Sequence, residues 1–398
     1  MCSSDLDGKS RIMSGAAALK LGERGEARDD FQRALAMRLE PGDAQTARDY
    51  LNTLANPGWQ GTLRVAFGAD SDPFQTGLAE PTEFGPGAST AGSSGAAAAD
   101  AAVAWRFNAG DSASGQIAYG FSQLAYTSSA AADRSLQQHL LDVSLELPLR
   151  DQFRAGFSAA GQLAFIGLSG FSGLQAAAGG SAWAAFDETD RLTTRLDLSW
   201  MHKHGLSGYS YLTGDRGDAA LSQELRFEPL TLTLGYQFRL EDIGVLRQPA
   251  RVPVPPGSCA FPCNETSIEP FGYTANIVWV GARSSLPGRL DLDLSAGFEA
   301  RSYLADDVVQ LTGSNGSTSE MNRSRRADDR WFGAASASWW LSKRLALSLR
   351  YDLVLNRSNI MAPPDPRRCG PGDPACGQTL SPLSYDKHLF TVGTTLSF

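Results

Sequence analysis

From Trp59 to the C-terminus, apolar residues recur at every second position in one segment after another. Leu345, Leu347, Leu349, Tyr351, Leu353 and Leu355 share one face of an extended chain, while Ala346, Ser348, Arg350 and Asp352 share the other. Leu290, Leu292 and Leu294 alternate with Asp291, Asp293 and Ser295, and Leu232, Leu234, Tyr236 and Phe238 alternate with Thr231, Thr233, Gln237 and Arg239. Residues 192–200 and 141–149 repeat the pattern. A helix returns to the same face every ~3.6 residues and cannot satisfy a period of two. These segments are strands with one continuously apolar face and one polar face.

A soluble sandwich shows the same alternation, so length has to decide. The segments run about 10–14 residues, beyond the ~5–6 of an ordinary globular strand and right for a strand tilted across a bilayer. About 14 of them fit between residues 58 and 398. Their connections alternate in length. Tight turns are expected at Gly110-Asp111, Arg150-Asp151, Glu188-Thr189, Pro229, Pro287-Gly288 and Ser342-Lys343, and four long loops at about 70–97, 242–266, 303–328 and 357–381. Short turns at one end and long loops at the other describe an outer-membrane barrel, and this parity puts both chain ends on the short-turn, periplasmic side.

The chain ends Thr391-Val392-Gly393-Thr394-Thr395-Leu396-Ser397-Phe398. Gly393, Leu396 and Phe398 in a closing alternating strand resemble the signal read by the barrel-assembly machinery. Mean hydropathy is −0.22, and no apolar run reaches the ~18 residues a spanning helix needs. A barrel keeps its mean hydropathy low because polar residues alternate with the apolar ones. The net charge of −8 over 398 residues argues against a nucleic-acid partner.

Before residue 58 the period is helical. Ala27, Phe31, Ala34 and Leu35 fall on one face. Together with Gly22 they resemble the small and large packing positions of a tetratricopeptide repeat, and a second helix is expected at about 43–55. One repeat cannot bury its face alone, so further repeats are expected upstream; the bland alternative is a helical hairpin that docks on the barrel. Residues 1–8 lack the basic and apolar regions of a signal peptide and read as a non-native or disordered start. The expected organisation is 1–8 start, 9–57 periplasmic helical segment, and 58–398 outer-membrane barrel, an all-β transmembrane fold of about 14 antiparallel strands.

Four cysteines form two close pairs in Pro/Gly-rich segments, Cys259 with Cys263 and Cys369 with Cys376. Loop disulfides and a zinc site both fit such spacing; no histidine lies near either pair, which favours disulfides. His202 and His204 share a face with Trp200, as metal ligands or as part of an interfacial belt. The tryptophans at 59, 105, 183, 200, 279, 331, 339 and 340 are read mainly as interface anchors, with sugar stacking as the alternative. Asn322-Arg323-Ser324-Arg325-Arg326 reads as a solvated loop, or one that binds lipopolysaccharide phosphates. No GxSxG, HExxH or phosphate-binding loop occurs, so neither an enzyme nor a cofactor is expected. Arg195, Asp197, Arg239, Asp291, Asp293, Glu299, Arg350 and Asp352 are expected to face the lumen, as a polar conduit or as ion pairs that fill and stiffen it.

Three motifs carry a resemblance to the surface lipoprotein assembly modifier (Slam) family. Trp59 opens the first strand, which leads to Asp70, Ser71 and Asp72 where that family's Asp-Ser-Asn turn is expected. Asn356-Arg357-Ser358-Asn359-Ile360 resembles the family's Asn-x-Ser-Asn-Ile, and Tyr385 to Phe398 resembles its final strand. The resemblance implies a translocon in contact with outer-membrane lipid and lipopolysaccharide that assists a client lipoprotein or small secreted protein. Exopolysaccharide-export and diffusion porins are the competing readings.

Overall fold

The computed structural model describes residues 3–20, 24–35, 46–47, 50–51, 58–73, 93–109, 113–129, 131–150, 152–168, 170–189, 191–206, 208–249, 263–313, 316–360 and 384–398. Among them, two helices precede the strands: α1 (Ser3–Lys20) and α2 (Arg24–Leu35). The strands are β1 (Gly58–Asp70), β2 (Ser94–Ala109), β3 (Ala113–Tyr126), β4 (Leu136–Arg150), β5 (Phe153–Ile166), β6 (Ser172–Asp187), β7 (Leu192–Gly205) and β8 (Gly214–Phe227). They continue with β9 (Leu230–Ile243), β10 (Val245–Pro249), β11 (Cys263–Pro270), β12 (Tyr273–Leu286), β13 (Leu290–Gly313), β14 (Thr318–Trp340), β15 (Leu345–Ser358) and β16 (Tyr385–Ser397).

β1–β9 and β12–β16 form a closed antiparallel barrel of 14 strands. The ring closes where β1 pairs with β16 from Thr62↔Ser397 to Asp70↔Leu389. Gly61 and Phe398 extend this seam with reciprocal backbone hydrogen bonds of 2.8 and 3.0 Å. Full closure removes the unpaired edges that a bilayer, which offers no hydrogen bonds, would not tolerate. The terminal residues of the expected assembly signal thus form part of the closing seam. The tight turns use small hydroxyl residues to occupy loose amides: Thr189 Oγ1 accepts from the backbone N–H groups of Arg191 and Leu192, and Ser342 Oγ from those of Arg344 and Leu345.

Two expected loops contain regular structure. The 303–328 segment continues β13 and β14 as a hairpin, paired out to Thr312↔Thr318. Alternating Val308, Gln310 and Thr312 suit a strand, and β13 reaches 24 residues and β14 23. β10 lies within 242–266 and pairs with the second half of β11, from Val245↔Pro270 to Pro249↔Thr266. β11 pairs with the projecting part of β13, from Cys263↔Gly313 to Ile268↔Val308. Between the expected loop at 242–266 and the turn at Pro287-Gly288 the chain forms two strands, β11 and β12, which part at Phe271 and Gly272 just after Pro270, a residue that supplies no ladder N–H.

The helices bury their own small core. Phe31 is fully enclosed with Ile12, Ala27, Ala34 and Ala47 around it, and its ring stacks on Tyr50 with centroids 4.7 Å apart. This is the face expected from the helical period. Gly22 and most of 43–55 lie outside the described residues. α1 begins at Ser3, inside residues 1–8, the expected non-native or disordered start. Among the described residues no helix is long and apolar enough to cross a membrane.

Candidate functional site: the inner lining of the barrel

Alternation and register together define which side chains point inward. Arg239 of β9 lies opposite Ala275 of β12, which lies opposite Arg301 of β13. Arg239 also reaches Glu299 of β13, 3.7 Å away across β12. Side chains two strands apart meet in this way on the concave face of a closed sheet, where curvature brings them together. The polar face is therefore the inner one, and following the register strand by strand around the ring returns to the same face.

The other face is apolar and bare. Phe67 is 66% exposed, Leu234 57% and Trp200 56%, and similar residues continue around the ring. Exposed apolar surface on this scale is untenable in water and suits a hydrocarbon environment. Five of the tryptophans, at 59, 105, 200, 331 and 339, belong to this outer belt.

Trp183, Trp279 and Trp340 do not, which corrects their reading as interface anchors. Register parity turns them inward. Trp183 lies against Gly156, Trp279 against Gly235 and, on the same inner face, Phe332 against Gly297, each ring occupying the space a β-carbon would fill. Trp340 Nε1 donates to Asp291 at 2.7 Å.

All eight residues expected to line the lumen occupy inward positions, and their charges are matched locally. Arg195 grips Asp197 at 2.6 Å and lies over the Trp183 ring. Arg350 grips Asp352 at 2.7 Å. Asp293 pairs with Arg283 at 3.0 Å, and Asp291 also accepts from Ser285 at 2.7 Å.

Arg239 and Glu299 belong to a larger network. Asp218 accepts from Arg216 and Arg239, both at 2.7 Å. Glu299, 3% exposed, takes Arg301 at 2.9 Å and Arg330 at 3.2 Å. Arg301 also packs on the Tyr273 ring. Asp218, Arg216 and Arg330 escaped the sequence reading. Their spacing obeys the same period of two, but Gly217 and Ala219, the outer neighbours of Arg216 and Asp218, are too small to mark the apolar face, and Asp329 interrupts it beside Arg330.

Apart from Trp59, the family-like residues gather at the long-loop end. Asp70 is fully buried and binds Lys387 Nζ and the Tyr126 hydroxyl, both at 2.7 Å, which ties β1 to β16 and β3. Ser71 prolongs the seam, exchanging bonds with the backbone of His388. Asn359 accepts from Ala327 N at 2.7 Å and donates to the Arg325 carbonyl at 3.0 Å, holding the base of the projecting hairpin. Ser358 Oγ accepts from Ile360 N, and buried Asn356 lies opposite Tyr385. Trp59 stands outward, opposite Trp105.

Residues 322–326 belong to β14, not to a loop. Arg326 pairs with Asp328 at 2.6 Å and covers the Tyr303 ring, and Arg325 pairs with Asp306. Their partners on β13 hold them in the hairpin. His202 faces outward and contacts Asp215 at 3.0 Å. Cys259, Cys369 and Cys376 lie outside the described residues, as does the side chain of Cys263.

No family model and no curated protein matches the chain. Among solved structures, it is similar to an anion-selective porin from Comamonas acidovorans (13% identity, 86% of this chain and 99% of the other, TM-score 0.42). It is also similar to a bacterial polysaccharide outer membrane secretin (11%, 85% and 97%, 0.38) and to a Pseudomonas aeruginosa FadL homologue (11%, 85% and 89%, 0.41). By its own closure, outer belt and polar lining, the chain is a transmembrane β-barrel of the outer-membrane type.

Proposed function

We propose that this barrel assists the export or surface display of lipoproteins or small secreted proteins. The reading joins the resemblance to the Slam family with one observation. A helical hairpin stands at the short-turn end of a barrel whose lining carries charges of both signs. Arg33 of α2 meets Glu228, in the β8–β9 turn, at 3.1 Å. A helical element there suits the capture of a periplasmic client, and a lining with charges of both signs suits a passing polypeptide of mixed sequence. In this reading the long loops face the lipopolysaccharide side, the helices lie in the periplasm, and the barrel-assembly machinery closes the β1–β16 seam. No covalent step is required.

The test is surface display. The barrel, fused behind a signal peptide, is co-expressed with an epitope-tagged small lipoprotein, and intact cells are shaved with protease. Display that depends on the barrel supports the reading. An assembled barrel with the client left inside overturns it.

A second reading, an exopolysaccharide-export or diffusion porin, draws support from the small inner residues of β1–β6. Ala66, Ala98, Gly120, Ala160, Ala177 and Gly179 are small inward positions there, set among the larger inward side chains of Arg64, Asp100, Asp142 and Trp183. A polysaccharide-synthesis locus around the gene, with polymer retained in a deletion strain, would select it.

A further inference from the structure

We infer that Arg216, Arg239, Arg301 and Arg330 form a binding site inside the barrel for oxyanion groups. The shared chemistry is a carboxylate, or a phosphate presenting the same paired oxygens. The inference stands on the lining itself and not on the export reading.

The charge count comes first. These four guanidiniums share two carboxylates, Asp218 and Glu299. Neighbouring acids at the same end are already engaged: Glu241 pairs with Lys203, and Asp328 with Arg326 and the Tyr303 hydroxyl. Among the six side chains of this connected network, positive charge exceeds negative by two; the buried acids Glu269 and Asp307 belong to the neighbouring hairpin.

The donor count agrees. A guanidinium carries five N–H donors in a fixed fork, and a carboxylate accepts about four bonds. Four forks on two carboxylates leave donors over. Arg330 gives Nη1 to Glu299 at 3.2 Å, and its side chain keeps 28% of its surface exposed. The arginine fork matches a planar or tetrahedral oxyanion through two parallel bonds.

Access and space agree as well. The four side chains are 16–31% exposed, enough for contact with a solute and little enough to limit screening. The β1–β6 half of the inner wall presents the small residues named above. Tyr273, under Arg301, and Ala275, between Arg239 and Arg301, support the forks from behind.

The experiment is isothermal titration of the full chain, folded in detergent micelles, with citrate and with inorganic phosphate. Saturable binding of either is expected, and the ratio of the two affinities identifies the preferred oxyanion. Arg330→Gln should weaken it about tenfold, the loss of one charged hydrogen-bonded contact. Arg283→Gln, which alters the Asp293 pair near the short-turn end, should leave it unchanged. If Arg330→Gln does not fold, judged by its heat-modifiable gel shift, Arg216→Gln takes its place. Absence of saturable binding, or equal affinities in wild type and the band variants, would overturn the site.

Discussion

Asp70 shows how one residue can hold distant parts of the chain together. Its carboxylate is fully buried and binds Lys387 and Tyr126, while its other oxygen accepts from the backbone N–H of Asp72. Removing one partner of a buried ion pair leaves the other charge uncompensated, which typically costs about 3 kcal/mol or more. Asp70→Asn should lower unfolding stability by about that amount in a urea titration of the barrel in lipid vesicles. The double variant with Lys387→Met should recover part of the loss, because the stranded charge is gone. A loss below about 0.5 kcal/mol would show that the pair behaves as a solvated one. In the sequence, Asp70 stood out only as part of a motif. Its partners lie 56 and 317 residues away in the chain, and no local pattern announces them.

At the scale of elements, the helical hairpin and the projecting hairpin have separate stabilities. Asp30 of α2 accepts from the Ser14 hydroxyl at 2.6 Å and from Arg11 at 3.0 Å, both on α1. These contacts, the Ser14 bond foremost, hold its carboxyl below the ordinary aspartate value of 3.8. A group whose folded pKa is depressed stabilises the fold above the unfolded value and loses that contribution as the pH falls through the folded one. The helical signal followed by circular dichroism should therefore fall on acidification below about pH 4, with the strand signal unchanged. In Asp30→Asn this acid-dependent step should shrink.

The projecting β13–β14 hairpin should be dispensable for closure, since the barrel portion of that pair is complete at Ser302↔Ala327. Replacing residues 307–324 with a short Gly-Ser turn should leave the heat-modifiable barrel intact. Proteolysis within 245–270 should increase, because β11 loses its partner on β13. Loss of the folded barrel would show instead that this hairpin takes part in assembly.

For the whole molecule, the decisive property is which face meets lipid. Trp59, Trp105, Trp200, Trp331 and Trp339 lie in the outer belt, while Trp183, Trp279 and Trp340 face inward. Brominated acyl chains quench tryptophans they touch, so reconstitution in brominated lipid should remove most of the emission. Trp183→Phe and Trp279→Phe should leave the quenched fraction unchanged or larger. If either change reduces it, the inward assignment of that residue is wrong.

The alternation of Leu345–Leu355 and the parity of the turns by themselves determined an antiparallel barrel of about 14 strands, because a period of two is a local property of the chain. The helical face around Phe31 was legible for the same reason, as was the inward set from Arg195 to Asp352. Only the tertiary structure decided what those residues meet. Arg239, Glu299 and Arg330 come from three strands and converge through curvature and register, and neither is written in any one segment. The same holds for the inward turn of Trp279, set by its pairing with Gly235, and for the 303–328 segment. That segment is strand because β11 and β14 pair with it on either side, a long-range condition that composition alone does not express.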